Sequence, residues 1–297
     1  MLITGASGSL ADCFRHYLEG KGCEPIMVSR TGRDGVLALE ELFNSEILER
    51  VDTVIHFAWS TLPATAECEP DSNERYDLPL LSRLLQRIAE IPISNRPHFI
   101  FSSSAGTVYG NCYSKPVDEK TPCRPIGRYG IGKRRAEKVI EACARRYGLS
   151  VCILRISNCY GFMVSSTRMQ GIIPHIFACA WEGRELSLWG DGSARKDFIH
   201  YSDLNRALSA VSAKRLNGTF NVAFGESASL REVIAIVERE IGRKISVNLG
   251  PHRPWDVQVV ELDNRKLCNA ADWLPLVKVE DGIRKMHAEL RLNGFLI

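Results

Sequence analysis

The stretch Thr4-Gly5-Ala6-Ser7-Gly8-Ser9-Leu10-Ala11 follows the apolar pair Leu2-Ile3 and runs into Leu10, Cys13, Phe14, Tyr17 and Leu18, which recur at helical spacing. It reads as a strand, a glycine-rich turn and a helix that stops at Gly20 and Gly22. Glycine lets a backbone turn tightly and come close to an anion. The helix start then offers it unpaired N–H groups and a partial positive charge. The spacing is G-x-x-G-x-x-A, so Ala11 stands where a third glycine often lies, and alanine is still small enough for close helix–strand packing. Opening the first of a series of strand–helix units, the turn is expected to cradle a dinucleotide pyrophosphate.

Working outward, short apolar runs at Leu2 to Thr4, Pro25 to Val28, Thr53 to Ala58, His98 to Ser102 and Val151 to Ile156 read as strands buried on both faces. Leu80-Leu81-Leu84-Leu85-Ile88 and Ala136-Val139-Ile140-Cys143-Tyr147 supply helices between them. Strands alternating with such helices give an α/β fold, a Rossmann-type doubly wound parallel sheet. After about residue 162, Gly and Pro punctuate shorter elements at Glu185 to Trp189, Thr219 to Ala223, Leu230 to Ile241 and Lys244 to Leu249, as in a smaller mixed α/β C-terminal substrate domain. The expected division is 1–161, plus a returning segment near 198–225, for the dinucleotide, and 162–197 with 226–297 for the substrate.

The 297 residues, 45% hydrophobic and 25% charged, are enough for a substantial core and exclude disorder or a disulfide miniprotein. With 38 basic against 35 acidic residues, the charge is near balance and no nucleic-acid partner is expected. No apolar run approaches the roughly 18 to 20 residues of a membrane span. Met1 leads straight into Leu2-Ile3-Thr4-Gly5 without an export signal, and the ten cysteines are scattered with no C-x-x-C pair. Both features point to reduced thiols in the cytoplasm, and no metal is expected.

The end of the second strand reports on the adenosine ribose, because a carboxylate there would bind the 2′-hydroxyl and repel a 2′-phosphate. Here it reads Val28-Ser29-Arg30-Thr31, with no acid until Asp34. Arg30 and Ser29 suit a 2′-phosphate, which favours NADP over NAD. In Tyr129-Gly130-Ile131-Gly132-Lys133, one helical turn separates the phenol from the ammonium, which places both on one face. An ammonium near a phenol is expected to lower a pKa of about 10 towards neutrality, giving a general acid/base for an alcohol. A serine-rich strand end, Phe101-Ser102-Ser103-Ser104, precedes it. Gly127 to Lys133 also satisfies G-x-x-x-x-G-K, but Arg134 follows where a phosphate loop needs Ser or Thr. H-E-x-x-H and G-x-S-x-G are absent.

In this order of motifs the chain resembles the extended short-chain dehydrogenase/reductases, in particular the nucleotide-sugar epimerase/dehydratase branch. The resemblance covers nearly the whole chain. It is carried by Thr4 to Gly8, Val54-Ile55-His56-Phe57-Ala58, Ser102 to Ser104 leading into Val108-Tyr109-Gly110, and Tyr129 to Lys133. Arg155 to Gly161, Trp189 to Ser193, Asp197-Phe198-Ile199-His200 and Arg253-Pro254-Trp255-Asp256 extend it. It implies that Gly5, Ser7, Gly8, Ser9, Leu10, Arg30, Phe57, Ala58, Tyr129 and Lys133 line the dinucleotide, with Lys133 on the nicotinamide ribose. It further implies Ser104 on a sugar hydroxyl or ketone, Tyr129 exchanging its proton, and Asn158, Lys196 and Arg253 on the substrate, a nucleotide-diphosphate sugar. A homodimer through the Leu80–Ile88 and Ala136–Tyr147 helices and a place in polysaccharide biosynthesis belong to the same expectation.

Departures from the family pattern sharpen the reading. The serine segment is one residue longer than in some relatives, so Ser103, Ser104 or Thr107 could reach substrate, with Ser104 preferred. Gly106 and Thr107 replace the Asp-Glu pair of the 4,6-dehydratases, which removes the groups that elimination needs. Lys196 stands where relatives often place a phosphate-binding Arg, with Arg195 as a candidate to compensate. Phe162 replaces the usual Pro after Tyr-Gly, and Asp77 replaces an Asn. The leading expectation is an NAD(P)-dependent nucleotide-sugar 4-epimerase. The alternatives are an NADPH-dependent 4-keto-sugar reductase, favoured by Arg30, and a non-catalytic dinucleotide-binding protein.

Overall fold

The computed structural model describes residues 1–33, 35–113, 116–162 and 171–292. The first half runs β1 (Leu2–Thr4), α1 (Ser9–Glu19), β2 (Ile26–Ser29), β3 (Leu37–Ala38), α2 (Leu39–Phe43), β4 (Thr53–His56) and α3 (Leu78–Glu90). Then come β5 (His98–Ser104), α4 (Ala105–Val108), α5 (Arg128–Tyr147), β6 (Val151–Ile156) and β7 (Asn158–Tyr160). The second half continues with α6 (Ile172–Glu182), β8 (Leu186–Trp189), β9 (Arg195–His200), α7 (Tyr201–Ala213) and β10 (Gly218–Val222). It closes with β11 (Ser227–Ser229), α8 (Leu230–Ile241), β12 (Val247–Gly250), α9 (Arg265–Ala271) and α10 (Val279–Leu292). Among the described residues no helix is long and apolar enough to cross a membrane.

Seven strands form one parallel sheet in the order β10-β6-β5-β4-β1-β2-β3. The chain moves outward from β1 through β2 and β3, then returns to place β4 on the other side of β1. That reversal opens a crevice beyond the carboxyl ends of β1 and β4, where a doubly wound sheet takes its ligand. All five strands read from the sequence are in this sheet.

Alternation along each strand divides its side chains between two helical layers. Phe99 and Phe101 of β5 pack with Leu81, Leu84, Leu85 and Ile88 of α3 and with Ala136 and Ile140 of α5. Ile100 faces the other way, into the layer built on α1, α7 and α9. The outward side of α3 and α5 is polar, with Arg83, Gln86, Arg135 and Lys138 exposed. A separate core joins α6, α8 and α10 through Ile176, Val233, Ile236, Ile283 and Met286, beside the small sheets β11-β9-β7 and β12-β8.

One boundary differs from the sequence reading in a way that matters. The helix expected from Ala136 begins already at Arg128, after Gly127, so both Tyr129 and Lys133 fall in its first two turns. The Glu67 carboxylate accepts the Arg128 backbone N–H at 2.7 Å, which satisfies one donor of that helix start from outside the helix.

Candidate active site

Gly5 closes β1 with φ at +80°, in the left-handed region. A Cβ there would lie 2.7 Å from the Ala58 backbone nitrogen and 2.9 Å from its Cα, because β1 and β4 are neighbours and the segment after β4 passes directly against the turn. The Gly8 N–H donates to the Gly5 carbonyl at 2.8 Å, and Gly8 then caps α1 with no side-chain hydrogen bond. Ser7 is exposed, Ser9, Leu10, Phe57 and Ala58 are half-buried, and Ala11 is buried. A glycine cradle against an uncapped helix start fits a dinucleotide pyrophosphate.

At the end of β2, Ser29 is half-buried and Arg30 exposed. The Arg30 guanidinium lies 5.9 Å from the Tyr76 ring centre. No carboxylate occupies the described turn from Ser29 to Arg33; Asp34, the next acid in the sequence, lies outside the described residues.

The catalytic candidates meet where β5, α4 and the first turn of α5 converge. Gly130 and Gly132 explain how. A Cβ at Gly130 would sit 2.6 Å from the Thr107 carbonyl, and one at Gly132 would sit 2.2 Å from the Asn73 side chain. The glycines that imitate a phosphate loop in the sequence instead let α5 press against α4 and the segment before α3. Tyr129 is thereby set beside the Ser104–Thr107 stretch.

Lys133 is buried, and its ammonium donates to the Ser102 carbonyl at 2.8 Å. Rings surround it, with Trp59 4.0 Å, Phe101 4.8 Å and Tyr129 5.8 Å from the nitrogen. The three hydroxyl candidates now separate. Ser103 donates to the Glu137 carboxylate at 2.6 Å and Thr107 to the Ser104 carbonyl at 3.3 Å. The half-buried Ser104 hydroxyl makes no hydrogen bond among the described residues.

The expected acidification of Tyr129 by Lys133 is corrected by the folded environment. Burial pushes the phenol above its ordinary range, and the charge of Asp77 adds to that rise. Burial also lowers the lysine to about 7, against the opposing pull of Asp77 and Glu137. The ammonium is turned to a carbonyl and to ring faces, and desolvation of the phenol outweighs its attraction for a phenolate. Asp77 itself is buried and accepts the Ser60 N–H at 2.8 Å and hydroxyl at 2.7 Å.

Asn158 opens β7, donates to the Asp197 carbonyl at 2.9 Å and lies in contact with Gly106 of α4. On β9, period-two alternation sends Arg195 and Lys196 to opposite faces. Arg195 bonds to Ser227 and Glu232, away from Lys196. Lys196 turns inward, donating to the Val257 carbonyl and lying 3.5 Å from the Asp256 carboxylate. The Arg253 guanidinium lies 3.8 Å over the Trp189 ring, which stays partly exposed. The backbone of Trp255 touches Gly127, so this loop reaches the start of the Tyr129 helix. Trp189 and Asp256 complete the cluster. The sequence motifs contained both, but pattern alone gave no reason to choose them.

The family model described as the NAD dependent epimerase/dehydratase family matches residues 1–223. The chain belongs to that family. A putative UDP-glucose 4-epimerase of Methanocaldococcus jannaschii is 31% identical over 66% of this chain and 63% of its own length. A dTDP-4-dehydro-6-deoxy-D-allose reductase of a Streptomyces species is 26% identical over 93% of this chain and 91% of its own. The crystal structure of the Thermotoga maritima UDP-glucose 4-epimerase with UDP-glucose superposes with a TM-score of 0.87, at 25% identity over 98% of both chains. With this family, the chain is an NAD(P)-dependent enzyme of the extended short-chain dehydrogenase/reductase type.

Proposed function

We propose that the protein is a nucleotide-sugar 4-epimerase. The observation that supports this reading is the buried Lys133 ammonium 5.8 Å from the Tyr129 ring, at the start of a helix whose Gly130 presses on the Thr107 carbonyl just after Ser104, a serine with no hydrogen bond from its hydroxyl among the described residues. When bound, the dinucleotide supplies the acceptor and later the donor of the C4 hydride. Ser104 hydrogen-bonds the 4-oxygen. Tyr129, which burial keeps protonated, must first ionise, favoured by the Lys133 charge, and as the phenolate takes the proton from that hydroxyl, returning it after the sugar has presented its other face. Lys133 holds the nicotinamide ribose and the local positive charge. Asn158, Lys196 and Arg253 hold the nucleotide diphosphate, with Trp189 as a platform.

The finer assignments belong to the same proposal. Gly5, Ser7, Gly8, Ser9, Leu10, Phe57 and Ala58 line the dinucleotide, and Arg30 favours NADP. Residues 1–161 and the segment near 198–225 carry it, while 162–197 and 226–297 carry the sugar nucleotide. The enzyme acts in the cytoplasm, in the supply of sugars for polysaccharides, as a homodimer docking through the outward faces of α3 and α5.

A second reading, an NADPH-dependent 4-keto-sugar reductase, is favoured by the exposed Arg30, which has no salt bridge among the described residues. Cofactor handling separates the two. Purified protein given UDP-glucose, and in parallel a panel of other sugar nucleotides, is expected to form the C4 epimer with no net change in dinucleotide redox state. Net oxidation of NADPH by a 4-keto-sugar nucleotide, with free exchange of the dinucleotide and no epimer, would establish the reductase instead.

A further inference from the structure

Buried ammonium groups are normally paired with a carboxylate, because desolvation otherwise drives off the proton. Lys133 has no carboxylate within ion-pair distance among the described residues, and its hydrogen bond goes to a neutral carbonyl. What it has instead is ring faces, Trp59 closest at 4.0 Å, with Phe101 set edge-on to Trp59 at 6.1 Å and 64°. Trp59 is also unusual in its own hydrogen bonding. A buried indole N–H generally finds an acceptor, yet Trp59 Nε1 is closed off from solvent without one among the described residues. The indole is therefore held by what its face touches.

We propose that Trp59 is a positioning residue for Lys133, its indole face supplying, with Phe101, the negative potential that keeps the buried ammonium protonated and aimed at the Ser102 carbonyl. The proposal rests on the reading of Lys133 as a working group of the site. It adds a residue that the Tyr129–Lys133 spacing does not contain. Other titratable groups around the ammonium are His56 on β4, Asp77 ahead of α3, and Tyr129 and Glu137 on α5, with Arg30 acting on Asp77. His56 stays neutral, since burial and the charge of Lys133 lower it to about 3. Lys133, lowered to about 7, is the group among these poised to titrate near neutrality.

The direct test needs no turnover. Subtracting the fluorescence of Trp59→Phe from that of the wild type isolates the Trp59 emission, which is followed from pH 5.5 to 8.5. One transition is expected near pH 7 and should vanish in Lys133→Met. A transition that persists in Lys133→Met, or no transition at all, overturns the proposal. If the enzyme turns over, the activity limb that falls as Lys133 loses its proton should move about one pH unit lower in Trp59→Leu, the tenfold change expected for a lost desolvated cation–π contact. Trp59→Phe, which keeps a ring face, should recover most of that shift. A uniform loss of rate with the limb unmoved would mark Trp59 as structural only. Absence of epimerisation with an intact fluorescence transition would count against the proposed reaction and leave the Trp59–Lys133 contact standing.

Discussion

The Ser103 hydroxyl donates to the Glu137 carboxylate at 2.6 Å, which ties the end of β5 to the third turn of α5. Glu137 also takes two hydrogen bonds from Arg155 of β6, at 2.8 and 3.0 Å. Arg155 in turn donates to the Tyr109 hydroxyl, which donates to Asn221 of β10. Three strands and a helix are pinned by one buried polar chain just behind the candidate catalytic groups. It consumes Ser103 and leaves Ser104, on the alternate face of the strand, available.

Ser104→Ala should therefore lower kcat/KM by about a hundredfold, the scale of one lost hydrogen-bond donor at a reacting oxygen, with the urea midpoint unchanged. Ser103→Ala should do the opposite. It loses a bond to a charged group, costing roughly 1.5–3 kcal/mol of stability, and its turnover, measured where it is folded, should stay near wild type.

Removing Glu137 strands Arg155 as an uncompensated buried cation. Glu137→Ala is expected to cost about 3–5 kcal/mol in denaturant unfolding at pH 7. The pH dependence has a definite sign. Burial works to raise the Glu137 pKa, but hydrogen bonds and charge from Arg155, with Ser103 and Arg134, hold it below the ordinary value. A depressed folded pKa stabilises above the unfolded pKa of about 4.3 and is lost as pH falls through the folded value. The gap between wild type and Glu137→Ala should thus narrow below pH 4.

Lys196 and Arg195 are adjacent in sequence and on opposite sides of β9. Lys196→Ala is expected to raise KM for the sugar nucleotide at least tenfold, in line with a lost charge-assisted phosphate contact, with kcat little changed. Arg195→Ala, which loses only its links to Ser227 and Glu232, should leave KM alone. Steady-state kinetics on both variants checks this.

Much of this arrangement is legible from residue patterns, and the exceptions have physical causes. Apolar runs mark the strands because a parallel sheet is buried on both faces, and Gly5 is legible because a left-handed turn against Ala58 admits nothing larger. Gly130 and Gly132 mislead, because the same residue type serves phosphate approach and helix–backbone packing, and only the neighbours Thr107 and Asn73 tell which. The Glu137–Arg155 pair lies within segments that read as helix and buried strand, and its one signal is that Glu137 follows Lys133 by a single turn. The acidity of Tyr129 fails as a sequence inference because spacing puts the ammonium on the right face without saying that burial of the phenol and the charge of Asp77 would work against it. Sequence adjacency also hid that Arg195 and Lys196 have separate partners, since odd and even residues of a strand point to opposite faces.

The account depends most on Tyr129 as the proton-exchanging group, and Tyr129→Phe tests that directly. Turnover of the epimerised sugar nucleotide should fall a hundredfold or more, the scale of lost acid/base catalysis, while dinucleotide binding measured by calorimetry stays at the wild-type value. A variant that binds dinucleotide normally and turns over at the wild-type rate would contradict it.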